Sequence, residues 1–235
     1  MKKETNRRDV NQMGKIIKKL KADDIGDMGI GAMIVFIAMV LVAGIAASVL
    51  IQTANRLEIQ AMQTGQETIG EVSTGLAVTA ISGHRTDDAD DNLDLMTITI
   101  QPRSGSFSID LEQTYIELSD STNKVVLAYD SGEFVDTPAI DGDFFTGTFY
   151  DTLTSTTFSI IVLEDADGSL AAATPVVNQG DQVMLTINLD QVFPTTGLGT
   201  RADVWGTIQP EEGAPAVFAF TTPSSFAANL VFSLY

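Results

Sequence analysis

GDMGIGAMIVFIAMVLVAGIAASVLIQTANR, residues 26–56, decides how the chain is read. From Ile30 to Ile51 it holds no charged residue and no strong helix breaker. Those 22 residues, as a helix rising ~1.5 Å per residue, reach roughly 33 Å, the thickness of a bilayer's hydrocarbon core. The run is far longer than the ~7–15 apolar residues of an ordinary secretory signal. It predicts either a single-pass membrane anchor or a helix that begins in the membrane and ends elsewhere.

Charge is distributed very unevenly around this run. Of the 13 Lys and Arg, eight lie in residues 1–26, directly before it. By the positive-inside rule this block holds the N-terminus in the cytoplasm and sends the remainder outward. From residue 27 on, five Lys and Arg face 27 Asp and Glu, a net −22. A surface of that sign repels phosphate backbones, which excludes a nucleic-acid partner. With no cysteine in the chain, neither a disulfide framework nor a thiolate metal site can form.

Downstream of Ile51, Leu57, Met62, Ile69, Val72, Leu76 and Ile81 recur at mostly helical spacing among Gln, Glu and Thr. The spacing predicts one helix from about residue 28 to about residue 82, ended by Gly83. Asp87, Asp88, Asp90 and Asp91 then form an acidic turn, and the texture changes to alternation and β-branched residues. Strands are predicted at 93–101, 114–119, 124–130, 143–150, 157–164, 182–189, 202–209, 215–222 and 229–235, with Gly, Pro, Asn, Asp and Ser between them. The fold class is therefore α+β: a long apolar N-terminal helix followed by an antiparallel β-sandwich or barrel of immunoglobulin-like type. Three regions follow: a leader at 1–26, the helix at 27–83 and a β domain at 84–235.

Catalytic chemistry is hard to assemble from these residues. The one histidine, His84, is read as a solvated junction residue. LEDADGSL, residues 163–170, lacks the ligand order and closing glutamate of an EF-hand and is read as an acidic turn. Trp205 is expected in the core. No phosphate-binding glycine loop and no N-x-S/T sequon occur. The expectation is a protein that is not an enzyme, with no metal and no cofactor.

Three stretches resemble the archaeal flagellins, or archaellins. GIGAMIVFIAMVLVAGIAASVLIQT (29–53) is similar to their N-terminal helix. PRSGSFSIDLEQTYIEL (102–118) resembles the start of their outer domain, and IQPEEGAPAVFAFTTPSSF (208–226) their closing region. The resemblance implies a class III, prepilin-type leader removed by a prepilin-type signal peptidase between Gly26 and Asp27. Asp24 and Ile25 stand where the family carries Lys or Arg, and Gly29–Ile30 is the second candidate bond. Gly31 occupies the position where many type IV pilins carry glutamate and is placed among the helix-packing residues. The resemblance further implies a membrane-held precursor, a membrane assembly ATPase and platform, and a helical homopolymer, alone or with paralogous archaellins, that forms an extracellular motility filament. Ala43, Gly44, Ala47 and Ser48 form two small-xxx-small pairs that allow close helix approach. The alternatives are an adhesive type IV pilin-like subunit and a membrane-anchored β-sandwich that binds a ligand.

Overall fold

The computed structural model describes residues 2–86, 92–136, 144–145, 150–193, 197–226 and 229–235, with side chains described outside 2–11 and 20–27. The acidic run at 87–91 and most of the strand expected at 143–150 lie outside the described residues. The chain forms two compact units, Met1–Thr64 and Gly65–Tyr235.

Helix α1 spans Lys2–Ser73. It continues through Gly26 and Asp27 and stops well before the expected residue 82. The described strands are β1 (Leu76–His84), β2 (Asn92–Leu93), β3 (Leu95–Pro102), β4 (Ile109–Asp110), β5 (Tyr115–Asp120), β6 (Lys124–Tyr129) and β7 (Thr157–Glu164). β8 (Leu170–Ala171), β9 (Thr174–Val177), β10 (Gln182–Asn188), β11 (Leu198–Gly199), β12 (Asp203–Gln209), β13 (Ala216–Thr221) and β14 (Val231–Ser233) follow, with a one-turn helix α2 (Leu189–Val192) after β10.

Nine strands make one sheet in the order β13-β12-β5-β6-β7-β10-β3-β1-β14. Its pairs are antiparallel except β6 with β7, which run parallel. A bridge between Gly75 and Ala214 brings the start of β1 to the approach of β13, so the sheet curls upon itself. β4, β9 and β8 form a small second sheet, and β11 pairs with β2.

Burial follows strand position. β3, β7 and β10 each carry five consecutive buried residues, because both of their faces are covered. β12 and β13 instead alternate, with Val204, Ile208, Phe218 and Phe220 inward and Trp205 and Val217 outward. The main core joins Ile81, Ile98, Ile116, Leu118, Phe158, Leu185 and Phe218 with their neighbours. A smaller cluster of Val135, Ile161 and Met184 covers the other face of β7 and β10.

Three sequence expectations are corrected here. Residues 76–84 are a strand and not the end of the helix, so the β domain begins before residue 84 and takes Leu76 and Ile81 into its core. Trp205 lies on the outward side of β12. His84 is buried at the end of β1, its ring stacked on Phe145 at 4.7 Å between centroids.

The exit of α1 is fixed by tertiary hydrogen bonds. Thr74 N–H closes the last helical turn on Gly70 O at 2.8 Å, while Thr74 O accepts from Ala214 N–H at 2.9 Å and its Oγ1 from Phe107 N–H at 3.3 Å. Gly213 turns at φ +94°, and a Cβ there would meet the backbone of Thr74, so the position suits glycine. Gly206 is constrained differently. A Cβ there would lie 2.8 Å from both Cε atoms of Phe218 and closer still to its Cζ. The ring is fixed in the core, so Gly206→Ala is expected to destabilise the β domain by about 1–3 kcal/mol through overpacking. Thermal unfolding followed by circular dichroism checks this, and an unchanged midpoint would count against so tight a fit.

Candidate functional site

The apolar half of α1 is the most conspicuous functional surface. Over Met28–Ser73 the helix is long and apolar enough to cross a membrane, and its most apolar window is unburied. Between Ile30 and Ile51 fourteen large apolar side chains are exposed, Phe36 at 67 % and Leu50 at 69 % among them. Burying one such side chain is worth about 1.5–3 kcal/mol. Fourteen in water therefore forfeit more than the ~5–15 kcal/mol that holds an ordinary domain together. This surface has to be covered by lipid or by protein.

Polar groups just past the apolar run turn back onto the helix. Thr53 Oγ1 donates to the carbonyls of Val49 and Leu50 at 3.0 and 2.9 Å, and Gln52 Nε2 donates to Ser48 Oγ at 3.5 Å. Thr53 thus offers the surroundings little unsatisfied polarity.

The structure brings Ala43, Gly44, Ala47 and Ser48 together on adjoining turns, all exposed. A Cβ at Gly44 would meet nothing within 4 Å, so the chain's own fold places no demand for glycine there. Gly31 is equally open but stands ~100° or more around the helix from each of the four, at about 100° per residue. It does not share their face. Gly26 and Asp27 lie within the continuous helix.

A second constellation lies in the β domain, around the acidic stretch read as a turn. Asp165 Oδ1 accepts from the N–H groups of Asp167, Gly168 and Ser169 at 3.3, 2.7 and 3.3 Å. Asp167 accepts from Ser169 N–H at 3.0 Å and Asn178 Nδ2 at 2.7 Å. Hydrogen bonds from Ser169 and then Asn178 hold its carboxyl below the usual carboxylate range. Buried Asp181 ties the two sides together: Oδ1 accepts from Ala166 N–H at 3.0 Å and Oδ2 from Asn178 N–H at 2.9 Å. Carboxylate oxygens of Asp165, Asp167 and Asp181 lie within 4.8 Å of one another. Such an all-oxygen set could hold a hard cation. The sequence reading found the 163–170 loop and missed Asp181, whose only local signal is that it follows Gly180, a left-handed turn residue at φ +108°.

Comparison with known proteins places these features in context. A model of the archaeal-type flagellin family matches residues 26–220. Flagellin B2 of Methanocaldococcus jannaschii is 44 % identical over 204 residues, covering 87 % of this chain and 92 % of that one. Flagellin B1 of Methanococcus voltae is 39 % identical over 221 residues, covering 92 % and 98 %. Among solved structures, flagellin FlaB1 of M. jannaschii is similar with a TM-score of 0.61 and 33 % identity, covering 68 % of this chain and 96 % of that one. The archaeal flagellum of Methanospirillum hungatei is similar in fold, with a TM-score of 0.58 at 13 % identity, covering 87 % and 99 %.

Asp181 is the member of the acidic loop whose loss has a calculable cost. Asp181→Ala would leave the N–H groups of Ala166 and Asn178 without their acceptor. Ala166 is exposed and Asn178 half-buried, so water can take up part of each lost bond, and the variant is expected to lose about 0.5–1.5 kcal/mol and to unfold at a lower temperature. Equal melting temperatures would mean that solvent replaces both bonds without cost.

Proposed function

Because the chain belongs to the archaeal-type flagellin family, it is a subunit of the archaeal flagellum filament, and we propose that α1 is the element through which it polymerises. The carrying observation is the fully exposed apolar surface between Ile30 and Ile51. In the precursor this surface sits in the membrane, with the basic leader inside. A prepilin-type signal peptidase cuts between Gly26 and Asp27. The match to the family begins at residue 26, which supports a boundary at this place. A membrane assembly ATPase and platform then move the helix into the core of an extracellular helical homopolymer, alone or with paralogous subunits, that serves swimming. The subunit itself performs no catalysis.

Transfer from lipid into a helix bundle gains little hydrophobic energy, since both surroundings are apolar. Preference for the bundle has to come from packing. Ala43, Gly44, Ala47 and Ser48 remove side-chain bulk along one side of α1, and backbones can approach closely there. Gly44 has the least bulk and no intramolecular reason to be glycine.

Two outcomes test the proposal. Subunits from sheared filaments should begin at Asp27 by peptide mass; retention of Met1 would overturn the leader assignment, and a start at Ile30 would move the bond. Gly44→Leu should insert into the membrane normally, because it is more apolar, yet polymerise poorly. Overpacking at a close contact costs about 1–3 kcal/mol, repeated in every subunit. Filaments of normal length and normal swimming in this variant would show that Gly44 does not face a neighbouring helix.

A further inference from the structure

The outward face of β13, β12, β5 and β6 carries apolar side chains that the fold does not use. Trp205 is 48 % exposed, Tyr115 42 %, Val126 49 % and Val217 69 %. Their inward neighbours, Val204, Ile208, Ile116, Leu118, Leu127, Phe218 and Phe220, fill the core without them. Strand register assembles the outward residues into one surface. Trp205 lies between Ala219 and Ser119. In the next row Val217, Thr207, Glu117 and Val126 follow one another across the four strands. Tyr115 sits beside Gln209 and Ala128 in the row after that.

The charge on this face is unusual for the chain. Residues 27–235 hold only five cations, yet one of them, Lys124, is here, paired with Glu117 at 2.8 Å. Asp203, at one corner, accepts a hydrogen bond from Thr221 Oγ1 at 2.7 Å. The rows between are nearly neutral, on a protein that otherwise carries a large negative excess.

We infer that this face is the contact between the β domain and the β domain of a neighbouring copy of the same chain in the filament; the inference rests on the filament reading. Charge is the first reason for choosing a second copy as occupant. Copies that repel each other over most of their surface can approach only where that charge is absent or paired, and this face meets the condition. Area is the second. Four strands ~4.8 Å apart and about six residues long give a face of roughly 400 Å², with polar Thr207, Glu117 and Ser119 among its apolar side chains. A stable independent dimer buries about 800 Å² per partner. The patch is therefore too small to dimerise free β domains, and it fits a partner held nearby by another interface, as polymerised helices would hold it. Trp and Tyr are also the residues that most often anchor such contacts.

Trp205 is the only tryptophan, which makes the test direct. Its emission maximum and its quenching by acrylamide are compared in intact filaments and in full-length subunits dispersed in a non-denaturing detergent, with circular dichroism confirming the same strand content in both. The expected result is emission at shorter wavelength and a several-fold lower quenching constant in the filament. Val217→Asp, at an exposed position, should keep the fold, restore quenching in any filament that forms and make filaments shed subunits more readily. Val217→Thr, similar in shape and uncharged, should behave as the parent. Equal quenching of Trp205 in filaments and dispersed subunits would overturn the inference while leaving the filament reading intact. So would Val217→Asp filaments as protected and as durable as the parent. Absence of the chain from filaments would overturn both.

Discussion

Between Ile30 and Ile51 no large apolar side chain finds cover within its own unit, and a surface of that kind is incompatible with water. Every other feature is arranged around this requirement. The surface is held on one unbroken helix, so it can move between lipid and protein without refolding. Polar groups at its lower end bond back to the helix, Thr53 to the carbonyls of Val49 and Leu50. The β domain has its own core and draws nothing from the apolar half of the helix. It can stay folded while the helix changes surroundings.

Much of this was legible in the sequence, because strands announce themselves either by alternation, as in β12 and β13, or by short β-branched apolar runs between turn residues, as in β7 and β10. β5, β7, β10, β12 and β13 lie close to where the sequence pattern puts them. β1 was misread for a specific reason. Leu76 and Ile81 are five residues apart, which in a regular strand would put them on opposite faces. A bulge between Val78 and Ala80 inserts one residue and returns both to the core. Ile69, Val72 and Leu76, spaced by three and four, carry a helical pattern over the true end of the helix. What ends α1 is equally non-local: Thr74 is caught by Phe107 N–H and Ala214 N–H, 33 and 140 residues downstream, and no local pattern reveals either.

The functional surfaces divide in the same way. The apolar run and its small residues are contiguous, so sequence alone exposes them. The acidic loop was half visible, because Asp181 joins Asp165 and Asp167 through the pairing of chain segments and not through spacing. Trp205 was assigned inward on the general tendency of a lone tryptophan in a strand. Its direction is in fact set by the residues beside it: Val204 and Ile208 take the inner side of β12, Gly206 makes room for the Phe218 ring there, and Trp205 is left outside.

The order of events in the proposed assembly follows from the cost of charge in hydrocarbon. Residues 1–26 hold eight Lys and Arg directly before the apolar run. Placing one such residue at a bilayer centre costs about 2.5–3.5 kcal/mol on insertion-based scales, so drawing the uncut helix outward would cost on the order of 20 kcal/mol. A helix-to-helix contact built on small residues offers only a few kcal/mol over lipid. In the proposed assembly an uncut subunit would therefore be held in the membrane by residues 1–26, whatever the packing at Gly44 provides. Removing the leader cancels that cost without altering the packing surface. In the proposed assembly the same helix would then pass from an arrested precursor to a subunit free to exchange lipid for its own kind, with cleavage before polymerisation.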